Sequence, residues 1–239
     1  MEGAIGAATV FGALHGLESL AQAVGTAGRI QNAPLRVRDE PRFGARSLLV
    51  DTSRHFLPVD FLKHVLDGMA HLKLNLLHWH IVDSNSFPCG SEVFPELAQK
   101  GAWSYPDAAY TVQDLKDVVQ YALDRGVRVM PEFDIPGHGA WHWAKPNLST
   151  AGCADVLDPT NDAVYEFLTQ FLGEMAGVFP DEYMFLGGDE VQPTCFNASS
   201  EQRAWLRKHN RTADGMETYF FEEVARRVLP TLPGNKTFG

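Results

Sequence analysis

The chain has 239 residues, with 20 Lys and Arg against 30 Asp and Glu, a formal charge of −10 at pH 7. With 45% hydrophobic and 21% charged residues, it has the composition of a folded globular protein rather than a disordered one. Such an acidic chain lacks the basic face that a phosphate backbone requires, which argues against a nucleic-acid partner, and no apolar run approaches the roughly 20 residues of a bilayer span.

Residues 1–24, MEGAIGAATVFGALHGLESLAQAV, have no basic start and no clear cleavage site, so no signal peptide is expected. Phe11, Leu14, Leu17, Leu20 and Val24 fall instead at the spacing of an amphipathic helix. After a polar stretch from Arg29 to Gly44, a strand is expected in SLLVDTSR, Ser47 to Arg54. Pro58 then opens a helix that carries Phe61, Leu62, Val65, Leu66, Met69 and Leu72 on one side; proline costs no hydrogen bond in a first turn. A second strand follows in NLLHWHIVD. Thr-Val-Gln-Asp from Thr111 reads as a capping box, opening a helix with Leu115, Val118, Val119 and Leu123 that stops at Gly126.

The third strand is VRVMPEFD, and from Asn161 a helix with Val164, Phe167, Leu168, Phe171, Leu172 and Met175 inward runs to Pro180. EYMFLGGDE is the fourth strand; helical patterns over Ser199 to His209 and Thr212 to Val228 complete the reading, with no strand expected after them. Strands and helices that alternate, with nearly continuous apolar strands, imply a parallel sheet covered on both faces, as in a doubly wound sheet or a (β/α)8 barrel.

Each expected strand ends in ionisable residues: Asp51 and Arg54, Asp83, Asp134 with His138, and Asp189 with Glu190. Parallel strands present their C-terminal ends on one face, where barrel enzymes assemble catalytic groups from several strand tips. Charges serving only as helix caps or solvated loops would not recur at every strand end. The glycines of Gly187-Gly188-Asp189-Glu190 let backbone or ligand approach closely, and neither common phosphate-loop pattern surrounds them.

His78 and His80 lie on one face of an extended strand, which is the commoner pattern of buried supporting histidines but also permits a metal site completed by His138 and Asp134. A metal-dependent barrel hydrolase is therefore the competing class. Trp103, Trp141 and Trp143 fall in connecting loops, where aromatic rings either stack on ligands or pack under the loop. Cys89, Cys153 and Cys195 lack zinc-finger spacing and leave room for one bridge and one free thiol. Asn-x-Ser/Thr sequons stand at Asn147, Asn197, Asn210 and Asn235, and would be acceptors only in a secretory pathway.

Five blocks, VFGALHGLESLAQ, PRFGARSLLVDTSRHFLP, KLNLLHWHIVDSNSFP, RVMPEFDIPGHG and FLGGDEV, cover nearly all of residues 10–195. In that order and spacing the chain resembles glycoside hydrolase family 20, the β-N-acetylhexosaminidases, and among them the animal-type lysosomal subunits. The resemblance implies an α/β fold, an incomplete (β/α)8 TIM barrel of about four βα units over residues 36–239, with residues 1–35 as a remnant helix of the accessory domain plus linker. It also implies retaining hydrolysis in which the substrate's own 2-acetamido oxygen is the nucleophile, an exception to the two-carboxylate scheme.

On that pattern Glu190 is the general acid and base and Asp189 holds the acetamido N–H. Arg54 hydrogen-bonds the terminal sugar's hydroxyls, while Asp83, Asp134 and His138 complete the polar pocket. No metal and no cofactor are implied. The partner is a carbohydrate, a terminal β-linked N-acetylhexosaminide; membrane and nucleic acid are not, a dimer is open for the full-length enzyme, and the family's setting is lysosomal or secreted. Cys153 and Cys195, which follow the third and fourth strands, match cysteines of the animal-type relatives and are expected to pair. Two residues depart from the family pattern, Phe185 for a usual His and Ser84 for a usual Asp. The absent later strands add a second expectation, a truncated non-catalytic relative with at most weak sugar binding.

Overall fold

The computed structural model describes residues 3–31, 33–234 and 236–239; the sequon at Asn235 lies outside them, while Asn147, Asn197 and Asn210 are exposed. Helix α1 (Val10–Ala23) is capped by Thr9, whose Oγ1 accepts the Gly12 N–H at 3.1 Å. It buries none of its residues. Phe11 and Leu14 rest over Gly126, and Gln22 donates to the carbonyl of His71. α1 therefore sits against the turns that lead into the second and third strands, at the N-terminal end of the sheet.

The main body runs β1 (Ser47–Asp51), α2 (Val59–His71), β2 (Leu76–Val82), α3 (Glu96–Gly101), α4 (Val112–Leu123), β3 (Arg128–Phe133), α5 (Asp162–Val178) and β4 (Tyr183–Met184). α6 (Ser200–Lys208), α7 (Met216–Glu223) and β5 (Thr237–Phe238) follow. β1, β2 and β3 pair in parallel in chain order, with Ser47 opposite Leu76 and Leu76 opposite Arg128. The chain at β4 joins β3 through Phe185, whose N–H donates to Pro131 O at 2.9 Å and whose carbonyl accepts from Phe133 N at 3.0 Å. β5 lies parallel to β4.

β5 departs from the expected order. It is two residues long, bounded by Gly234 and Gly239, and so has no apolar run by which sequence could reveal it. The expected helix from Thr212 to Val228 is also broken: a 3₁₀ turn at Ala213–Gly215, then α7, then a π turn at Val224–Val228. Val224 and Val228, four residues apart and so on one face, are both buried in the core. The short helix α3 was not signalled by any periodic run.

Alternation along the strands divides the molecule. Leu77, Trp79 and Ile81 of β2 point to the helices and are buried with Phe171 and Phe179, Trp79 meeting Phe179 edge-on at 6.2 Å. The other, concave face carries Leu49, His78 and Met130 side by side and then His80 and Glu132, so its charge gathers toward the C-terminal strand ends. Of the loop tryptophans, Trp141 is core, within 5.1–5.6 Å of the rings of Phe87, Phe167 and Phe171, whereas Trp103 and Trp143 are exposed.

Cys153 and Cys195 form a disulfide, Cα atoms 5.2 Å apart, that ties the loop after β3 to the segment after β4; Cys89 is free and buried. The bridge spans 42 residues, for which the chain-entropy model gives about 4 kcal/mol. Cys195→Ser should therefore lower the free energy of unfolding in urea by about 2–4 kcal/mol, and reductant should have the same effect on the unmodified chain. Equal midpoints with and without reductant would contradict this.

Candidate active site

The strand ends place their charged groups at one rim. After β1, Asp51 Oδ1 accepts the backbone N–H groups of Ser53 (2.9 Å) and Arg54 (3.0 Å), which folds the chain back on itself. That turn brings the Arg54 guanidinium over the end of β2, where Nη2 reaches Asp83 Oδ2 at 2.7 Å while Nη1 reaches Asp51 Oδ2 at 2.8 Å. Trp103 Nε1 donates to Ser53 O at 2.9 Å and braces the same loop.

Behind Arg54 the charges continue inward. His80 contacts Asp83 Oδ2 through Nε2 (2.8 Å) and Glu132 Oε2 through Nδ1 (2.9 Å), and His78 Nε2 reaches the same Glu132 oxygen at 2.6 Å. Burial opposes charge on His80, but the hydrogen bonds to Asp83 and Glu132 outweigh it and hold its pKa up at about 10. Burial likewise works against an ionised Glu132, and hydrogen bonds from His78 and His80 overcome it and bring its pKa down to about 2. The two histidines are thus engaged by carboxylates. Among the described residues the three donors close enough to share an ion are Asp83, Asp134 and His138, within 4.8 Å, and neither His78 nor His80 belongs to that group.

The second half of the rim is built around Asp134. Its Oδ1 accepts the Gly188 N–H at 2.9 Å and its Oδ2 meets His138 Nδ1 at 2.7 Å. The turn after β4 has positive φ at Gly187 (66°), Gly188 (112°) and Glu190 (61°), and a Cβ on Gly187 would lie 2.0 Å from Asp134 Oδ1. Glycine is therefore required there by both space and backbone. The turn swings Glu190 over His138, with Oε2 3.3 Å from Nε2, and leaves Asp189 Oδ1 3.7 Å from Nδ1.

Arg54, Asp134, His138 and Asp189 line a cleft of about 560 Å3, together with His80 and Phe185. Asp83 is buried behind Arg54, and Glu190 stands exposed at the mouth, joined to the others through His138. Glu132 was not singled out by sequence, although it lies two residues before Asp134 and alternation puts both on one face. Glu217 of α7 was also missed; burial and the charge of Asp189 push its pKa up. At the two departures, Phe185 faces the ring of His78 at 5.1 Å, and Ser84 Oγ donates to Asp155 Oδ2 at 2.9 Å, so a carboxylate from another loop reaches that position.

Burial raises Asp134 to about 6 despite its hydrogen bonds; for His138, burial is outweighed by the bond to Asp134 and by surrounding carboxylates, and its pKa is raised. A pKa above its unfolded value gives stability that is full below the unfolded value and lost as pH rises through the folded one. Between about pH 4 and pH 6 the native state therefore loses stability through Asp134, and as pH rises further past about 6.5 it loses more through His138. Urea unfolding across this pH range should show this decline, and Asp134→Asn should reduce it; an unchanged slope in the variant would assign the decline elsewhere.

The family model described as glycosyl hydrolase family 20, catalytic domain, matches residues 43–231. Beta-hexosaminidase 1 of Arabidopsis thaliana is 41% identical over 223 residues, which cover 90% of this chain and 41% of that protein. Beta-hexosaminidase subunit beta of Homo sapiens is 41% identical over 229 residues, with 90% and 41% covered. Among solved structures, a Flavobacterium johnsoniae chitobiase superposes with a TM-score of 0.80 at 33% identity, over 95% of this chain and 36% of its own. An exo beta-N-acetylglucosaminidase from Vibrio harveyi, solved with N-acetylglucosamine, gives 0.81 at 25% identity over 95% and 40%. The chain spans less than half the length of these relatives.

Proposed function

The chain belongs to glycosyl hydrolase family 20, and from that premise we propose that it carries the acid–base half of a retaining β-N-acetylhexosaminidase site, acting on terminal β-linked N-acetylhexosamines of glycans or glycoconjugates. Residues 36–239 are read as the first half of a (β/α)8 barrel and residues 1–35 as the end of an accessory domain. The parallel strand order β1 to β5 supports the first, and the seat of α1 away from the cleft supports the second.

The observation that carries the reading is the Gly187–Glu190 turn. It hangs two neighbouring carboxylates on the rim of the cleft that Arg54 enters from the opposite side. In the proposed reaction the substrate's acetamido oxygen attacks the anomeric carbon while Glu190 gives a proton to the departing oxygen. Asp189 accepts the acetamido N–H and offsets the charge of the cationic intermediate. Glu190, now a carboxylate, takes a proton from the water that opens the intermediate, so the product keeps its configuration. His138 bridges Asp134 and Glu190 and holds the acid in place, while Arg54 binds sugar hydroxyls and Asp83, buried behind it, orients its guanidinium.

A pair of chromogenic substrates tests this. In protein that carries the whole barrel, an aryl N-acetyl-β-glucosaminide should be hydrolysed and the matching plain β-glucoside should not; equal rates would mean the acetamido group takes no part. Sugar binding with no turnover of either would favour a non-catalytic relative.

A further inference from the structure

The concave face holds a set of buried charges that no step of the proposed reaction uses. His80 and Glu132 are each 6% exposed, and they connect β3 to the loop that bears Arg54. We propose that Glu132 and His80 are positioning residues: they fix the carboxylate of Asp83, and through it the guanidinium of Arg54, in the orientation that receives the sugar. This rests on the reading above, in which Arg54 contacts the substrate.

An arginine at a half-open rim has a long stem and much rotamer freedom to lose. Of its two carboxylate partners, Asp51 ends β1 three residues before Arg54, and its other oxygen is engaged by the Ser53 and Arg54 N–H groups. Asp83 is the partner that ties the guanidinium to β2. Asp83 is itself almost wholly buried, and its Oδ2 is shared between Arg54 Nη2 and His80 Nε2, while Oδ1 accepts the Ser84 N–H. Its place therefore depends on what His80 donates.

His80 contacts a carboxylate at each ring nitrogen, and a neutral imidazole has only one N–H to give. Both contacts are satisfied only by the doubly protonated ring, and Glu132 supplies the second negative charge that holds that form in a buried place. With a neutral amide at position 132, the ring would keep one proton, on Nε2 toward the Asp83 carboxylate, while Nδ1 accepted from the amide N–H. The His80–Asp83 hydrogen bond would then lose its charge assistance, and Asp83, with the guanidinium it anchors, would be held less firmly. A merely structural Glu132 would change stability without changing the state of His80 or Arg54.

The test compares the chain with E132Q and E132D by 15N NMR of the His80 ring and the Arg54 guanidinium, and by titration with N-acetylglucosamine. At pH 8 the unmodified chain should show both His80 nitrogens protonated and slowly exchanging Arg54 Nη protons. E132Q should show a neutral His80, lose the Arg54 signals, and raise the Kd for the sugar by roughly tenfold or more. E132D, which keeps the charge, should restore most of each. A neutral His80 at pH 8 in the unmodified chain overturns the inference, as does an unchanged Kd in an E132Q protein whose His80 has become neutral. If the unmodified chain binds no sugar, the reading of the cleft fails, and the His80 and Arg54 spectra alone decide the relay. Should E132Q not fold, the titration of His80 in the unmodified chain decides it.

Discussion

Glu190→Gln is expected to lower turnover of an aryl N-acetyl-β-glucosaminide by about 10²–10⁴-fold in protein that carries the whole barrel. The proposed chemistry asks one group to give a proton to the leaving oxygen and then to take one from water, and an amide can do neither. Glu190 alone of the two turn carboxylates reaches Nε2 of His138, at 3.3 Å, and it stands exposed at the mouth where a leaving group would depart. Substrates with very good leaving groups need little protonation, so the first step should suffer least for them, while breakdown of the intermediate should stay slow. Pre-steady-state bursts with such substrates would report that split. Near wild-type turnover across all leaving groups would remove Glu190 from the role.

What could be read from the sequence was whatever depends on neighbours along the chain. The Thr111 capping box is present as expected, with Thr111 accepting the Asp114 N–H and Asp114 answering the Thr111 N–H. Gly126, expected to stop α4, has φ +73°. The strand-end charges gather at one rim because a parallel sheet sends every C-terminal end the same way. What escaped depends on partners distant in sequence. Glu132 looks like one more polar residue in RVMPEFD until β2 brings His80 opposite it, and β5 has no pattern of its own apart from β4. Trp141 lies in a loop by sequence, yet the rings of Phe87 and α5 close over it. Arg54 reaches the cleft only because Asp51 folds its loop back, a hydrogen-bonded turn that composition does not announce.

In protein that carries the whole barrel, Gly187→Ala should lower turnover by an amount comparable with loss of the acid, although it adds only a methyl group. The residue has φ +66°, a conformation that costs an L-residue roughly 1 kcal/mol or more. The larger effect is steric: the new Cβ would lie 2.0 Å from Asp134 Oδ1 and 2.3 Å from its Cγ. One of the two must move. If Asp134 yields, the bonds to Gly188 N–H and His138 Nδ1 break, leaving a buried carboxyl short of partners. If the turn yields, Asp189 and Glu190 shift with it, and a displacement of about 1 Å can cost 10²-fold in rate. Both routes fall on the same machinery, so turnover should drop at least about 10²-fold with a loss of stability measurable in urea. Gly173→Ala is the matched control, since it lies within α5 with no atom within 4 Å of its Cβ position. There the same methyl group should leave turnover unchanged and stabilise the helix by roughly 0.5–1 kcal/mol. Wild-type turnover in Gly187→Ala would mean that the Asp134 contact to the turn does not set the position of the carboxylates.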